Sequence, residues 1–182
     1  MALADLSDLE AWLGLSSGNT DEALLTRLLG AASDFVETWC SRTFAVTAYT
    51  DIRDGTGLGR MTMINRPVVA VTALAIDGSA IPAAGTINGS GWFLNKDSVQ
   101  LFGYAFNRGQ ANVAISYTAG FATIPPAVAQ ATIELAAMRY QERGRIGLSS
   151  VAAAGETTSY VIKDMPPSVA TLLNQYRQVV PQ

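Results

Sequence analysis

The chain has 182 residues, 49% of them apolar and 15% charged, with a net charge of −3, one cysteine and no histidine. That length suits one compact domain with ample core material and room for an appended arm. A single cysteine excludes a disulfide framework within the chain, and the lack of histidine removes the usual general base, the Ser-His-acid triad and nearly all catalytic zinc sites.

The charge is unevenly spread. Residues 1–40 hold seven acids and one base, a net of −6, whereas residues 41–182 hold eight acids and eleven bases, a net of +3. A solvated helix face accounts for this, although in a stacked ring opposite-signed faces would also orient neighbours. The lysines are just Lys96 and Lys163, and the arginines are scattered except near Arg139, Arg143 and Arg145. Tight, sequence-independent DNA binding is not expected from that distribution. Residues Met1 to Trp12 carry acids and no basic leader, and no apolar run is long enough to span a bilayer. The expectation is a soluble chain made in a cytoplasm, with no membrane partner.

In chain order, Ser7 and Glu10 predict a capping box for a short helix that stops at Gly14. Asn19 and Glu22 mark the start of a long helix. Leu24, Leu25, Leu28, Leu29, Ala32, Phe35, Val36, Trp39 and Cys40 recur along it as one broad apolar stripe. From Phe44 the period changes to that of strands: Phe44, Val46 and Ala48 alternate, as do Met61 and Met63, and Val69, Val71, Ala73 and Ala75. Turn signals at Asp54-Gly55, Asp77-Gly78, Asn88-Gly89 and Asn107-Arg108-Gly109 break this region into short strands. A hairpin is predicted across Lys96-Asp97, and Val113, Ile115 and Tyr117 share one side of a closing strand.

Pro125-Pro126 opens a third helix with Val128, Ala131, Leu135 and Met138 inward, ending at Gly144. Ile146 to Ser159, rich in Gly, Ser, Ala and Thr, shows no period and reads as a flexible arm. Pro166-Pro167-Ser168 starts a last short helix with Val169, Leu172, Leu173 and Tyr176 on one face. The fold class is therefore α+β: three to four helices with a small antiparallel sheet. The expected division is a main domain over residues 1–145 (helices 3–13, 20–40 and 126–143, β region 44–118) and an arm with a terminal helix over 146–182.

Candidate chemistry is sparse. Gly55-Thr56-Gly57-Leu58-Gly59-Arg60 superficially resembles a phosphate loop, but the alternating Met61-Thr62-Met63-Ile64 follows where a helix N-terminus is required. A glycine-rich hairpin turn is the expectation. Asp51, Asp54, Asp77 and Asp97 are the carboxylates from which a hard-cation or acid–base site would be built, yet Asp54 and Asp77 each precede a turn glycine. A ligand-binding module using Trp92, Phe93, Tyr104 and Phe106 is a further alternative. No cofactor, metal or catalytic residue is expected.

The order of the pieces carries more than any one of them. Trp12-Leu13-Gly14 ends the short helix, Cys40-Ser41-Arg42-Thr43-Phe44 the long one, and Arg66-Pro67-Val68 precedes a strand. Asn112-Val113 then runs through Tyr117-Thr118-Ala119-Gly120-Phe121 to Ile124-Pro125 and a helix ending near Tyr140 and Arg143. This order, from roughly Leu3 to Arg145, resembles the head–tail connector (adaptor, or head-completion) proteins of long-tailed bacteriophages. The resemblance implies a structural protein of the virion neck and no enzyme. It implies a homo-oligomeric ring of about twelve copies on the portal protein, carrying the next neck or tail-completion protein. Packaged DNA would pass through without sequence-specific binding. Another neck or tail-terminator ring is the alternative within that class. A tethered amphipathic helix folds back on its own core or enters a partner's groove. The resemblance favours the portal, with Val169, Leu172, Leu173 and Tyr176 in the contact and Arg139, Arg143 and Arg145 beside it. Trp92 is the candidate contact between subunits.

Overall fold

The computed structural model describes residues 2–86, 89–144, 150–153, 156–159 and 165–178. Helices and antiparallel sheets together make the α+β class expected. The chain divides into two compact units, one of Met1–Arg42 with Ile124–Gln182, the other Thr43–Thr123. The division thus falls on either side of the β region and not at residue 145.

The helical unit is built from α1 (Leu6–Leu13), α2 (Glu22–Cys40), α3 (Pro126–Glu142) and α4 (Pro167–Asn174). Asp5 precedes α1, so Ser7 sits inside the first turn and no capping box forms. Glu10 is instead buried, 5% exposed, and accepts a hydrogen bond from Asn19 Nδ2 at 2.8 Å. Asn19 Oδ1 accepts from the Asp21 N–H, turning the chain into α2. At the other end Ser41 adopts a left-handed conformation, φ 51°, while the Ser41 and Arg42 N–H groups donate to the Thr38 and Glu37 carbonyls. That pairing satisfies carbonyls that a helix end otherwise leaves free.

Leu25, Leu29, Ala32, Val36 and Cys40 form the buried stripe of α2, narrower than the sequence suggests, with Phe35 half-buried and Trp39 exposed. Helix α3 touches α1, α2 and α4 and buries Val128, Ala131, Ile133, Leu135, Ala136 and Ala137. A helix surrounded on several sides needs small side chains so that neighbours can approach, which explains its run of alanines. Gly30, in the middle of α2, has no atom within 4 Å of where a Cβ would lie. Gly30→Ala is expected to stabilise the protein by about 0.5–1 kcal/mol by removing backbone freedom from the unfolded chain, measurable as a raised urea midpoint at constant slope.

The terminal helix is folded onto its own unit. Val169 and Leu173 are buried, Leu172 and Tyr176 half-buried, and α4 packs on α3 and α2. Cys40 Sγ lies 3.9 Å from the Leu173 carbonyl, the Gln178 N–H donates to the Cys40 carbonyl at 2.9 Å, and Arg42 Nη1 donates to the Tyr176 carbonyl at 3.3 Å. Two of the four side chains expected to face the portal are thus occupied within the chain. A further difference concerns residues 146–159. Strands β8 (Ser150–Ala153) and β9 (Glu156–Ser159) pair antiparallel where no regular element is predicted; residues 146–149 lie outside the described residues. Main-chain pairing requires no hydrophobic period, so a periodicity search does not see it.

The β unit contains β1 (Thr47–Gly55), β2 (Arg60–Thr62), β3 (Val68–Ile76), β4 (Ser79–Ala80), β5 (Gly91–Asn95), β6 (Ser98–Phe102) and β7 (Gly109–Ala119). One sheet runs β1-β7-β3-β4 and another β2-β6-β5. Val113, Ile115 and Tyr117 point inward as their alternation predicts, joining Met61, Met63, Leu74, Ile76, Val99, Leu101 and Phe106 in one core. The predicted Lys96-Asp97 hairpin is present, with Lys96 at φ 53°. In β3 the outcome differs from the alternation expected. Register shifts at Val68/Ala70 and Val71/Ala73 put Val68, Val71, Leu74 and Ile76 inward or half-inward and leave Val69 and Ala73 exposed. Each bulge adds a residue to one strand and so breaks the period of two.

Phe44 is buried but Val46 is 44% exposed, lying between an isolated bridge at Ala45 and the start of β1 at Thr47. The glycine-rich loop 55–60 is no hairpin turn. It passes from one sheet to the other and is held by hydrogen bonds between Leu58 and Phe106, Gly57 and Phe106, and Gly59 and Leu101.

Candidate functional site

The aspartates of the β unit are each absorbed by local structure. Asp51 Oδ2 accepts from the Tyr117 hydroxyl at 2.7 Å; burial, with that bond, holds the Tyr117 phenol above its ordinary range. Asp54 Oδ1 accepts from the Ala111 N–H at 2.6 Å and Asp97 Oδ1 from the Val68 N–H at 3.0 Å. Asp77, at φ 52° in the β3–β4 turn, accepts from Asn107 Nδ2 and Asn112 Nδ2, both at 2.9 Å. Those amides hold its carboxyl below the usual range. Among the described residues no three His, Cys, Asp or Glu side chains gather as a metal site. A strand, not a helix, follows the glycine-rich loop, so no helix N-terminus meets it.

A groove of about 400 Å³ lies along Ile76, Asp77, Ser79, Ile81, Tyr104 and Asn107. The four aromatics proposed as a binding surface do not converge on it. Phe106 is buried, Phe93 stacks on Phe102 at 5.2 Å, and Trp92 is half-buried with its Nε1 donating to the Ile81 carbonyl at 3.0 Å. Only Tyr104 among them is both exposed and beside the groove. Trp92, the expected subunit contact, is thereby anchored within its own unit.

The helical unit carries a more distinctive surface. Phe35 and Trp39, one turn apart on α2, stack with ring centroids 6.4 Å apart. The Arg139 guanidinium from α3 lies 5.4 Å from the Phe35 centroid, and that of Arg177, just beyond α4, lies 5.5 Å from Trp39. Arginine over an aromatic face is attracted by the ring quadrupole and keeps its planar donors outward. Trp39 remains 37% exposed and Trp12, on α1, 55%. The stripe read from sequence along α2 includes Trp39, which lies exposed at the margin of that helix's buried face. The i, i+4 spacing of Phe35 and Trp39 is visible in the sequence, whereas Arg177 reaches them only through the folding of α4.

Arg139 and Arg143 of the basic cluster each have a partner within the helical unit. Arg139 belongs to the ladder just described, and Arg145 lies outside the described residues. Arg143 ion-pairs with Asp21 at 3.3 Å and lies 3.7 Å from the Tyr140 ring centroid. Tyr140 donates its hydroxyl to the same Asp21 oxygen, which holds the phenol above its ordinary range. This trio links the start of α2 to the end of α3.

Cys40 is fully buried under α4, and burial pushes its thiol up to about 11 against the opposing pull of Arg42 and Arg177. Its reaction with a thiol reagent at pH 8 is expected to be about a hundredfold slower than that of a free cysteine. The raised pKa also sets a direction for stability. An unfolded thiol ionises around its ordinary 9.0, so this contribution to stability is fully present well below that pH. The protein loses up to about 2 kcal/mol as the pH rises to the folded value. Urea unfolding at pH 8 and 10.5 checks this, with Cys40→Ala expected to lack that part of the slope.

Nearly the whole chain matches a single family. The model of the head completion proteins covers residues 2–179, and the chain belongs to that family. Comparison with curated sequences finds no match. Among solved structures, the chain is similar to one in the neck of an empty GTA particle computed with C6 symmetry. That likeness has 25% identity over 99% of this chain and 92% of that one, with a TM-score of 0.60. The neck of the native GTA particle computed with C12 symmetry contains a similar chain at 24% identity, 88% and 85% coverage and a TM-score of 0.56. A chain of the virion of a native gene transfer agent particle matches at 22% identity, 99% and 92% coverage and a TM-score of 0.58. The last two likenesses support the fold.

Proposed function

We propose that this chain is a structural protein of the neck of a tailed virion, forming a homo-oligomeric ring between the portal and the remainder of the neck and tail. The observation that carries the proposal is the family match over residues 2–179 together with a 25% identical neck chain aligned over 99% of this one. The ring would continue the DNA channel and help to complete the head after packaging. An excess of acids in residues 1–40 suits a passage that must not hold phosphates, because each phosphate contact slows a moving polyanion.

The role is mechanical. The turn aspartates serve as internal hydrogen-bond acceptors, which supports a chain with no catalytic step. Turnover of any substrate that disappears in an Asp51→Asn, Asp54→Asn, Asp77→Asn or Asp97→Asn variant would overturn that part. The location is tested by imaging the neck of the particle that contains this chain. Density for this fold as a ring seated on the portal is the expected result. A ring found further down the neck or at the tail end would replace the portal-adaptor reading with that of another neck protein.

A further inference from the structure

Two exposed surfaces of the helical unit are chemically opposite. The first is the α2 surface, where Phe35 and exposed Trp39 are flanked by Arg139 and Arg177. Neither arginine has a carboxylate partner among the described residues, and Asp34 on the adjoining flank of α2 pairs with neither. The second is the outer face of α1. Asp5, Asp8 and Trp12 are spaced three and four residues apart, so they line one side of the helix, and all three are solvent-accessible. Neither carboxylate there has a hydrogen bond or ion pair from its side chain among the described residues.

We infer that the Phe35–Trp39 surface of one copy receives the Asp5–Asp8–Trp12 face of α1 from a second copy. The occupant follows from charge and shape together. A surface of two guanidiniums without carboxylate partners among the described residues, flanking a stacked aromatic pair, fits a partner that brings acids around an aromatic group, and α1 presents that set. The pieces are also those that dominate association energies: tryptophan and arginine, already ordered by stacking and so losing little freedom on contact. Because the two surfaces differ and sit on the same chain, the contact is head-to-tail. Such a contact closes into a ring when the rotation between copies divides a full turn. The inference rests on the ring proposed above and names the surfaces that would build it.

Charge reversal tests it on the full chain. Wild-type protein is expected to self-associate in native mass spectrometry, less so as salt is raised. Asp8→Arg and Arg139→Asp should each weaken that association by at least about tenfold. An equal mixture of the two variants should associate again, because the reversed α1 of one then faces the reversed α3 of the other around an alternating assembly. The double variant Asp8→Arg/Arg139→Asp should recover as well, which excludes misfolding as the cause of either loss. Self-association indifferent to both reversals, or reversals that neither mixture nor double variant rescues, overturns the inference. So does a wild-type chain that stays monomeric at its highest soluble concentration. Each of those results leaves the neck location to be judged by imaging alone.

Discussion

Deleting residues 166–182 is expected to lower the stability of the helical unit by about 3–6 kcal/mol, from the loss of two fully buried aliphatic side chains at roughly 1.5–3 kcal/mol each. Val169 and Leu173 are those side chains, and both are buried in the chain's own core. The deletion also uncovers Cys40 and frees the hydrogen bonds to its carbonyl and from Arg42. The sequence alone suggests the opposite, a helix whose loss spares the domain and removes only partner binding. The difference is physical. A helix of eight residues is marginal by itself and needs a surface, and in this fold α2 and α3 supply it. Thermal unfolding of the truncated chain decides the matter, and Leu173→Ala gives the same direction at about 2–4 kcal/mol. An unchanged midpoint would return the helix to a partner.

The second large effect is expected at Gly120, where β7 ends. This residue has φ +135°, and a Cβ added there would lie 2.4 Å from the Ala45 carbonyl oxygen and 2.7 Å from the Val46 Cα. Both obstacles are main chain, so no rotamer change relieves them. The Gly120 N–H donates to the Pro67 carbonyl, and the next residue, Phe121, donates to the Phe44 carbonyl while its ring stacks 6.0 Å from Phe44. Alanine at Gly120 must therefore disrupt the entry to β1 and the buried Phe44 together. Backbone strain and overpacking each contribute about 1–3 kcal/mol, giving a destabilisation of about 2–6 kcal/mol. Gly144→Ala is the control. Among the described residues no atom beyond its chain neighbours lies within 4 Å of its Cβ position, and its effect should stay within about 0.5 kcal/mol. Urea titrations of the two variants separate the cases.

Elements governed by one strong local rule were legible in the chain. The proline opening of α3 and the alternation of Val113, Ile115 and Tyr117 reappear as read, and the apolar period of α2 reappears as a narrower stripe. What escaped depends on contacts distant in sequence. Glu10 looks like a capping residue until Asn19 is seen to bind its carboxylate. Val69 looks buried until two bulges turn it outward. Trp39 looks like core because a helical wheel cannot tell where a buried stripe ends, and Trp92 looks like surface until its ring N–H is seen to bind the Ile81 carbonyl. The Arg139–Phe35–Trp39–Arg177 ladder draws on three helical segments. No spacing rule joins residues so far apart.

The helical unit is assembled from two stretches of the chain, with the β unit inserted between them in the sequence. Cys40 meets Leu173 across a sequence separation of 133. On the ribosome, residues 43–123 emerge complete and are free to fold while α1 and α2 still lack α3 and α4. Domains generally fold as units as synthesis proceeds, so here the first helices made are among the last to be secured. A polypeptide released early would carry a finished β unit but an open helical one, and the stacked surface beside Trp39 would lack Arg139, Arg177 or both. Construction of the chain thus contains its own check on length: only a polypeptide synthesised through Arg177 carries the whole stacked surface.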